Sequence, residues 1–286
     1  MEEKNKIEKS TLYLVGTPIG NLSDLSERAK KILSEVDFVA AEDTRNSQRL
    51  LSAIGVHKEL ISYHEHNKKM SGERIVARLF SGESCALVTD AGMPAVSDPG
   101  EDLVRLAAEA GLTVTTVPGP TALISALALS GLSTSRFSFE GFLSAKQSER
   151  KKRLAALTGE NRTMLFYEAP HKLRATLADM CEVFGEDRKI AVCRELTKLN
   201  EEISRLTLLG AVNMYSEREP RGEYVLVVEG APEGDGVSQE LISLSPEEHV
   251  RLYTDGGLSK MDAIKKAAKE RGVSKSELYK LLIDTE

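Results

Sequence analysis

Four short runs rich in apolar and β-branched residues, Thr11–Thr17, Asp37–Glu42, Ser84–Thr89 and Thr113–Val117, recur with helix-like segments between them. That alternation constrains the fold more than any other feature. Strands joined by a helix-length crossover pair in parallel, whereas antiparallel neighbours need only a short turn. Leu22–Val36 reads as one crossover helix, with Ser23 as N-cap and Ser26 and Glu27 in its first turn. Asp98–Ala110 reads as another, stopped by Gly111. The first part of the chain is therefore expected to be α/β, built on a mainly parallel sheet.

The pattern changes after Pro118-Gly-Pro120. Thr121–Ser130 is small, apolar and helix-like, and strand-like runs follow at Arg136–Phe139, Thr163–Tyr167, Lys189–Cys193, Glu202–Leu208 and Glu223–Glu229. Ala169–Phe184 is the long helical pattern among them, with Pro170 suited to its first turn. The close spacing of the last three strand runs predicts a mixed or antiparallel second sheet. Ala231–Gly236 has linker composition. Beyond it, Ser259-Lys-Met-Asp262 and Ser274-Lys-Ser-Glu277 match helix-capping boxes on either side of Gly272. The expected domains are 1–118, 119–232 and a helical unit over 240–286. That last unit is either a cap on the core or a nucleic-acid-binding module.

At 286 residues, 41% hydrophobic and 29% charged, the composition is that of a globular protein, and no segment has the length and apolarity of a membrane span. The charged N-terminus lacks a signal-peptide core, and Cys85, Cys181 and Cys193 are widely spaced. Both point to a cytoplasmic protein with reduced, buried thiols. A net charge of −6 excludes a surface that is basic throughout, so nucleic acid would have to meet local patches. Residues 146–153 carry five positive side chains and one negative, and Gly256–Glu286 carries seven positive and five negative.

Five punctuated junctions fall at strand ends, four of them carrying Gly or Pro: Val15-Gly-Thr-Pro-Ile-Gly20, Ala41-Glu-Asp-Thr-Arg45, Thr89–Gly100, Val117-Pro-Gly-Pro-Thr-Ala122 and Tyr167-Glu-Ala-Pro170. In open α/β sheets ligands bind at the carboxyl ends of the strands, so several stiff turns there predict a cleft for a small polar ligand. Gly16-x-x-x-Gly20 has the wrong spacing for a dinucleotide fingerprint, and phosphate-loop, nucleophile-elbow and zinc-protease motifs are absent. Ala41-Glu-Asp-Thr-Arg45 offers Glu42 or Asp43 as a base and Arg45 as an anion grip. Equally, it is an ion pair opening a helix, with Asp43 or Thr44 as N-cap. His64 and His66 lack an evident third metal ligand, so Ser62–Asn67 reads as a polar loop at the substrate mouth. Arg194-Glu-Leu-Thr-Lys198 places Glu195 and Lys198 where they pair with each other or face substrate.

Taken in order from about Thr11 to Gly230, these motifs resemble the bacterial ribosomal RNA small subunit methyltransferase I family. Gly141-Phe-Leu, Phe166-Tyr-Glu-Ala-Pro-His171 and Arg221-Gly-Glu-Tyr-Val-Leu-Val-Val-Glu229 belong to the same series. The family lies within the tetrapyrrole methylase superfamily. The resemblance implies two α/β domains of the tetrapyrrole methylase type with a cofactor cleft between them, plus a small C-terminal helical unit. It implies S-adenosylmethionine as methyl donor and no metal. It further implies a homodimer, and 2′-O-methylation of a cytidine in the decoding region of 16S rRNA within the small ribosomal subunit.

Carried over by motif, the implied cofactor residues are Thr17, Pro18, Ile19, Gly20, Asp90, Ala91, Gly92, Met93 and Val96 from the first domain. Thr121, Ala122, Tyr167, Glu168 and Leu196 complete the set. Superfamily members often carry Asp where this chain has Met93, so an aspartate contact does not transfer there. Glu42 or Asp43 is expected as base, with Arg45 on a phosphate and Glu195 or Lys198 acting from the second domain. The basic run and the helical tail are expected to hold RNA phosphate. Two rivals remain at this point: a methyltransferase acting on a small molecule such as a tetrapyrrole precursor, and a non-catalytic nucleic-acid-binding regulator.

Overall fold

A computed structural model describes residues 6–232, 244–271 and 273–283. The first sheet contains β1 (Thr11–Val15), β2 (Phe38–Ala41), β3 (Glu59–Ser62), β4 (Cys85–Val88) and β5 (Thr113–Val117). All pairings are parallel, in the order β3-β2-β4-β1-β5. Successive side chains point to opposite faces, and both faces are covered. Leu12, Phe38, Ala40, Cys85 and Leu87 pack on α3 (Lys68–Phe80) and α4 (Gly100–Glu109) through Ile75, Leu79 and Leu103. Tyr13, Val15, Val39, Ala41 and Val88 pack on α1 (Glu27–Glu35) and α2 (Thr44–Ala53) through Ile32, Leu33 and Leu51. Burying each large apolar side chain contributes about 1.5–3 kcal/mol relative to exposure.

Ser26, not Ser23, caps α1: its hydroxyl accepts the Ala29 N–H at 3.1 Å. The residues before it form a separate 3-10 turn, Leu22–Asp24, capped by Asn21. Leu22 and Leu25 mimic a continuous helical stripe across that break. β3 and α3 had no counterpart in the sequence reading, because Glu59–Ser62 is short and only one of its residues is fully buried.

The chain enters the second sheet through α5 (Ala122–Ser130), whose N-cap is Thr121. There follow β6 (Phe137–Phe142), α6 (Gln147–Ala156), β7 (Thr163–Glu168), α7 (Pro170–Phe184), β8 (Lys189–Arg194), β9 (Glu202–Thr207), α8 (Leu208–Glu217) and β10 (Tyr224–Val228). Their order is β6-β7-β10-β8-β9, parallel between β6 and β7 and antiparallel elsewhere, which makes the sheet mixed. Helices α6, α7 and α8 cover one face through Leu154, Leu173, Leu177, Met180 and Tyr215. The other face packs on α5 and also takes Ile19 from the first lobe. The two helices missed in this half, α6 and α8, begin in a charged run and directly at the end of a strand.

Among the described residues the tail forms three helices, one more than the capping boxes predict: α9 (Pro246–Asp255), α10 (Lys260–Glu270) and α11 (Lys275–Ile283). Ser245 and Glu248 form a capping box on α9, and Ser259 and Ser274 accept the N–H of Asp262 and Glu277. Val250, Ala263, Ile264, Ala267, Ala268 and Leu278 make a core of tail residues alone. His249 is fully buried, with Nδ1 at 3.1 Å from Arg271 and Nε2 at 2.9 Å from Glu270. A guanidinium only donates, so Nδ1 accepts from Arg271 and Nε2 faces the Glu270 carboxylate. The linker positions 233–236 and Gly272 lie outside the described residues. Among those described, no helix is long and apolar enough to cross a membrane.

Candidate active site

The carboxyl ends of β1, β2, β4 and β5 face the second sheet across a cavity of about 430 Å³. That volume is within the range of small-molecule sites. The two lobes touch here by bare backbone. A Cβ on Gly16 would stand 2.6 Å from the Gly119 Cα, and one on Gly119 would stand 2.8 Å from the Gly16 Cα. Thr17 exchanges two main-chain hydrogen bonds with Gly92, at 2.9 and 3.2 Å, and its hydroxyl donates to the Thr89 carbonyl. The Met93 sulfur accepts the Gly119 N–H at 3.3 Å, so in this chain position 93 seals the lobe contact.

Of the implied cofactor residues, Ile19, Asp90, Ala91, Gly92, Met93 and Val96 line the cavity from the first lobe. Thr121, Ala122, Tyr167, Glu168 and Leu196 line it from the second. Thr17, Pro18 and Gly20 do not; Thr17 shapes the wall from behind, and Gly20 abuts Thr197 and Lys198. Further lining comes from Ser97, Asp98, Leu123, Phe142, Cys193 and Glu223, which the motif reading did not select. Phe142 had a signal, since it stands in the Gly141-Phe-Leu motif. Its ring is 58% exposed and tilts on Tyr167 with centroids 5.4 Å apart, while Phe139 meets Tyr167 edge-on at 4.9 Å.

Strain concentrates on the same walls. Five non-glycine residues among those described have positive φ, and four occur as two matched triplets. Ala95 and Ser97 (φ 68° and 64°) flank Val96; Glu195 and Thr197 (φ 50° and 66°) flank Leu196. Each triplet thus turns one apolar residue into the cavity, from opposite lobes. The Asp98 carboxylate pins the first triplet by accepting the N–H groups of Ala95, Val96 and Gly100. Left-handed backbone at such residues costs about 1–3 kcal/mol each and persists where the surroundings over-determine it.

The acid–base candidates separate clearly. Glu42 lines the cavity and accepts the Thr89 hydroxyl at 2.8 Å on Oε2, leaving Oε1 without a hydrogen bond among the described residues. Asp43 does not line it. Its carboxylate caps α2 and grips Arg45, whose guanidinium holds it down to about 2. Arg45 is 84% exposed and also lies outside the cavity, as do Glu195 and Lys198. Lys198 bridges Glu195 and Glu223, both at 2.9 Å. Burial pulls its ammonium down, but the two carboxylates outweigh that and hold it above the ordinary lysine range. Burial raises Glu195, but hydrogen bonds donated to its carboxylate by the Lys198 ammonium and by the Glu223 N–H bring it below the usual carboxylate value. This cluster ties the turn after β8 to the turn before β10.

Glu168 lines the wall but is fully engaged by Lys172, Thr176 and the Ala169 N–H. Burial pushes the Cys193 thiol up to about 11, and Cys181 is only half-buried where full burial was expected. Among the described residues no three His, Cys, Asp or Glu side chains gather as a metal site.

The basic run is not the free phosphate-binding face its sequence predicts. Arg150 is buried against Asp179, Lys151 pairs with Glu182, Lys146 with Glu149 and Arg153 with Glu140. Lys152 alone of the five has no ion pair among the described residues.

Residues 11–211 match the tetrapyrrole (corrin/porphyrin) methylase family. Over 281 residues the chain is 45% identical to a ribosomal RNA small subunit methyltransferase I of Bacillus subtilis, covering 98% of this chain and 96% of the relative. Its identity to the protein of that name in Halalkalibacterium halodurans is also 45%, covering 96% and 95%. The crystal structure of a diphthine synthase superposes with a TM-score of 0.60 at 15% identity, covering 77% of this chain and 89% of that one, which shows the shared fold. The chain therefore belongs to the tetrapyrrole methylase superfamily and, within it, to the ribosomal RNA small subunit methyltransferase I family.

Proposed function

We propose that this chain transfers a methyl group from S-adenosylmethionine to the 2′-hydroxyl of a cytidine in the decoding region of 16S rRNA. The observation that carries the proposal is the cavity between the lobes, with Glu42 at its edge in a member of this family. The residues fit the cofactor. The Tyr167 and Phe142 rings offer apolar faces for a nucleoside base, and the carboxylates of Asp90 and Glu42 suit a sulfonium charge. Ala91-Gly92 and Thr121-Ala122 bring backbone groups close. When bound, the donor supplies an electrophilic methyl group.

The chain's own part is to hold the acceptor in line, exclude water and take a proton. Positioning of that kind is worth about 7–11 kcal/mol in favourable cases. Thr89 fixes one oxygen of Glu42, and the other accepts the proton of the ribose hydroxyl, a step worth roughly 10²–10⁴-fold. Asp43 is too acidic for that role and orders α2 and Arg45. The cytoplasm, a homodimer and domain limits of 1–118, 119–232 and 240–286 complete the proposal.

Labelled methyl transfer to isolated small subunits, compared with naked rRNA, DNA and a tetrapyrrole, tests it. Label confined to small-subunit RNA as a 2′-O-methylcytidine is expected; label on the tetrapyrrole alone overturns the RNA reading. Glu42→Gln is expected to lower kcat by about 10²-fold or more with cofactor affinity retained. Sedimentation of the intact chain tests the dimer.

A further inference from the structure

Resting on that reading, we propose that His64 is a further RNA-contacting residue. Its imidazole, on the loop after β3, holds the sugar–phosphate backbone of the acceptor strand next to the methylated nucleotide. The topology sets the direction of approach. β5 leads into the second lobe through residues 118–121, and β3 is the opposite edge strand of the sheet. A macromolecule reaching Glu42 from the open side therefore crosses the ends of β3 and β2. His64 stands at that crossing. The Tyr63 N–H donates to the Ala41 carbonyl at 2.8 Å, continuing the β2–β3 ladder and setting His64 beside the Glu42-Asp43 turn.

The loop is built to present this ring. The Asn67 side chain accepts the His64 N–H at 2.8 Å and donates to the Ser62 carbonyl at 3.0 Å, while the Asn67 N–H donates to the His64 carbonyl at 3.0 Å. The imidazole, in contrast, has no hydrogen-bond partner among the described residues; its Nδ1 is buried, and Nε2, which is not, is the atom open to a ligand. An unmet buried polar atom is costly and rare. Of the neighbouring carboxylates, Asp43 is engaged by Arg45 and Asp90 by Asn46, while Glu42 keeps Oε1 open for the ribose hydroxyl. Arg45 bonds Asp43 through Nε and Nη2, which leaves Nη1 unbonded among the described residues. His66, exposed, meets His64 edge-on at 5.9 Å. An imidazole and a guanidinium with unmatched donors, on a fixed turn at the open edge, suit an anionic, oxygen-rich ligand. A phosphodiester has that chemistry.

Steady-state transfer to small subunits by the full chain, with calorimetry for S-adenosylmethionine and thermal melts, provides the test. His64→Ala is expected to raise the KM for the small subunit about tenfold, the effect of one charge-assisted hydrogen bond. Cofactor Kd and Tm stay unchanged. His64→Gln, which keeps a donor, recovers most of the loss. An unaltered KM in His64→Ala overturns the assignment, as does a joint loss of Tm and cofactor affinity in both variants. A wild-type chain that methylates no small subunit defeats the proposed function itself. An active wild type with indifferent His64 variants defeats this inference alone.

Discussion

On α6, Arg150 lies 2.7 Å from Asp179 with side chains only 4% and 5% exposed, and three more cations reach carboxylates nearby. On α10 and α11, Lys260, Lys265, Lys275 and Lys280 are all exposed, and none makes an ion pair among the described residues. Both stretches read as basic in the sequence. They differ in what the fold sets beside them: Asp179 and Glu182 on α7 and Glu140 on β6 neutralise the first, and among the described residues no carboxylate pairs with these four lysines of the second. A local count of Lys and Arg thus measures charge, while the partners that decide its use lie tens of residues away.

The sharpest break of that comparison is Arg150→Ala. Removing one member of a buried pair leaves Asp179 uncompensated and is expected to cost about 3–5 kcal/mol. A large fall in the urea midpoint, with RNA affinity per folded molecule unchanged, is the outcome that fits an internal clamp. Next comes the tail. Replacing Lys260, Lys265, Lys275 and Lys280 together by Ala is expected to lower the slope of log affinity against log salt by about 3. Melting should shift little, since exposed charges contribute about 0–1 kcal/mol each. An unchanged salt slope would make the tail a folding element and would erase the contrast.

Arg45 tests an intermediate case, a cation that is exposed yet paired. Asp43 sits at about 2 in the folded chain against an ordinary 3.8. A depressed carboxylate contributes stability that is fully present above about 4 and is lost as pH falls through about 2. Asp43→Asn is therefore expected to flatten the acid side of the stability curve in that window, read by melts across pH. Smallest of all, Lys152→Ala should change neither melting nor RNA binding by more than about 0.5 kcal/mol.

β1, β2 and β4 were legible because they are buried on both faces and appear as apolar runs, whereas β5, an edge strand buried only at Val117, was legible from its β-branched residues. β3 was not, because at the sheet edge Glu59 and Ser62 need not be apolar. The turns were legible as turns, since Gly16, Gly92 and Gly119 answer to backbone geometry that only small residues meet. The roles of charged groups were not. Glu42 and Asp43 are neighbours in sequence, yet one faces the cavity and the other caps a helix, a difference set by where β2 stops and α2 begins. Likewise Thr17 and Gly20 belong to a recognisable motif but act one layer behind the wall.

The matched triplets, Ala95-Val96-Ser97 and Glu195-Leu196-Thr197, set this protein against itself under selection for heat tolerance. Glycine at Ala95, Ser97 or Thr197 would relax the chain and raise its melting point, whereas at Glu195 it would also remove the carboxylate that Lys198 holds. The same exchange would slacken the jaw that turns Val96 or Leu196 inward. A lineage bred only for sturdiness would drift toward glycine there and arrive at a tougher molecule with a weaker bite.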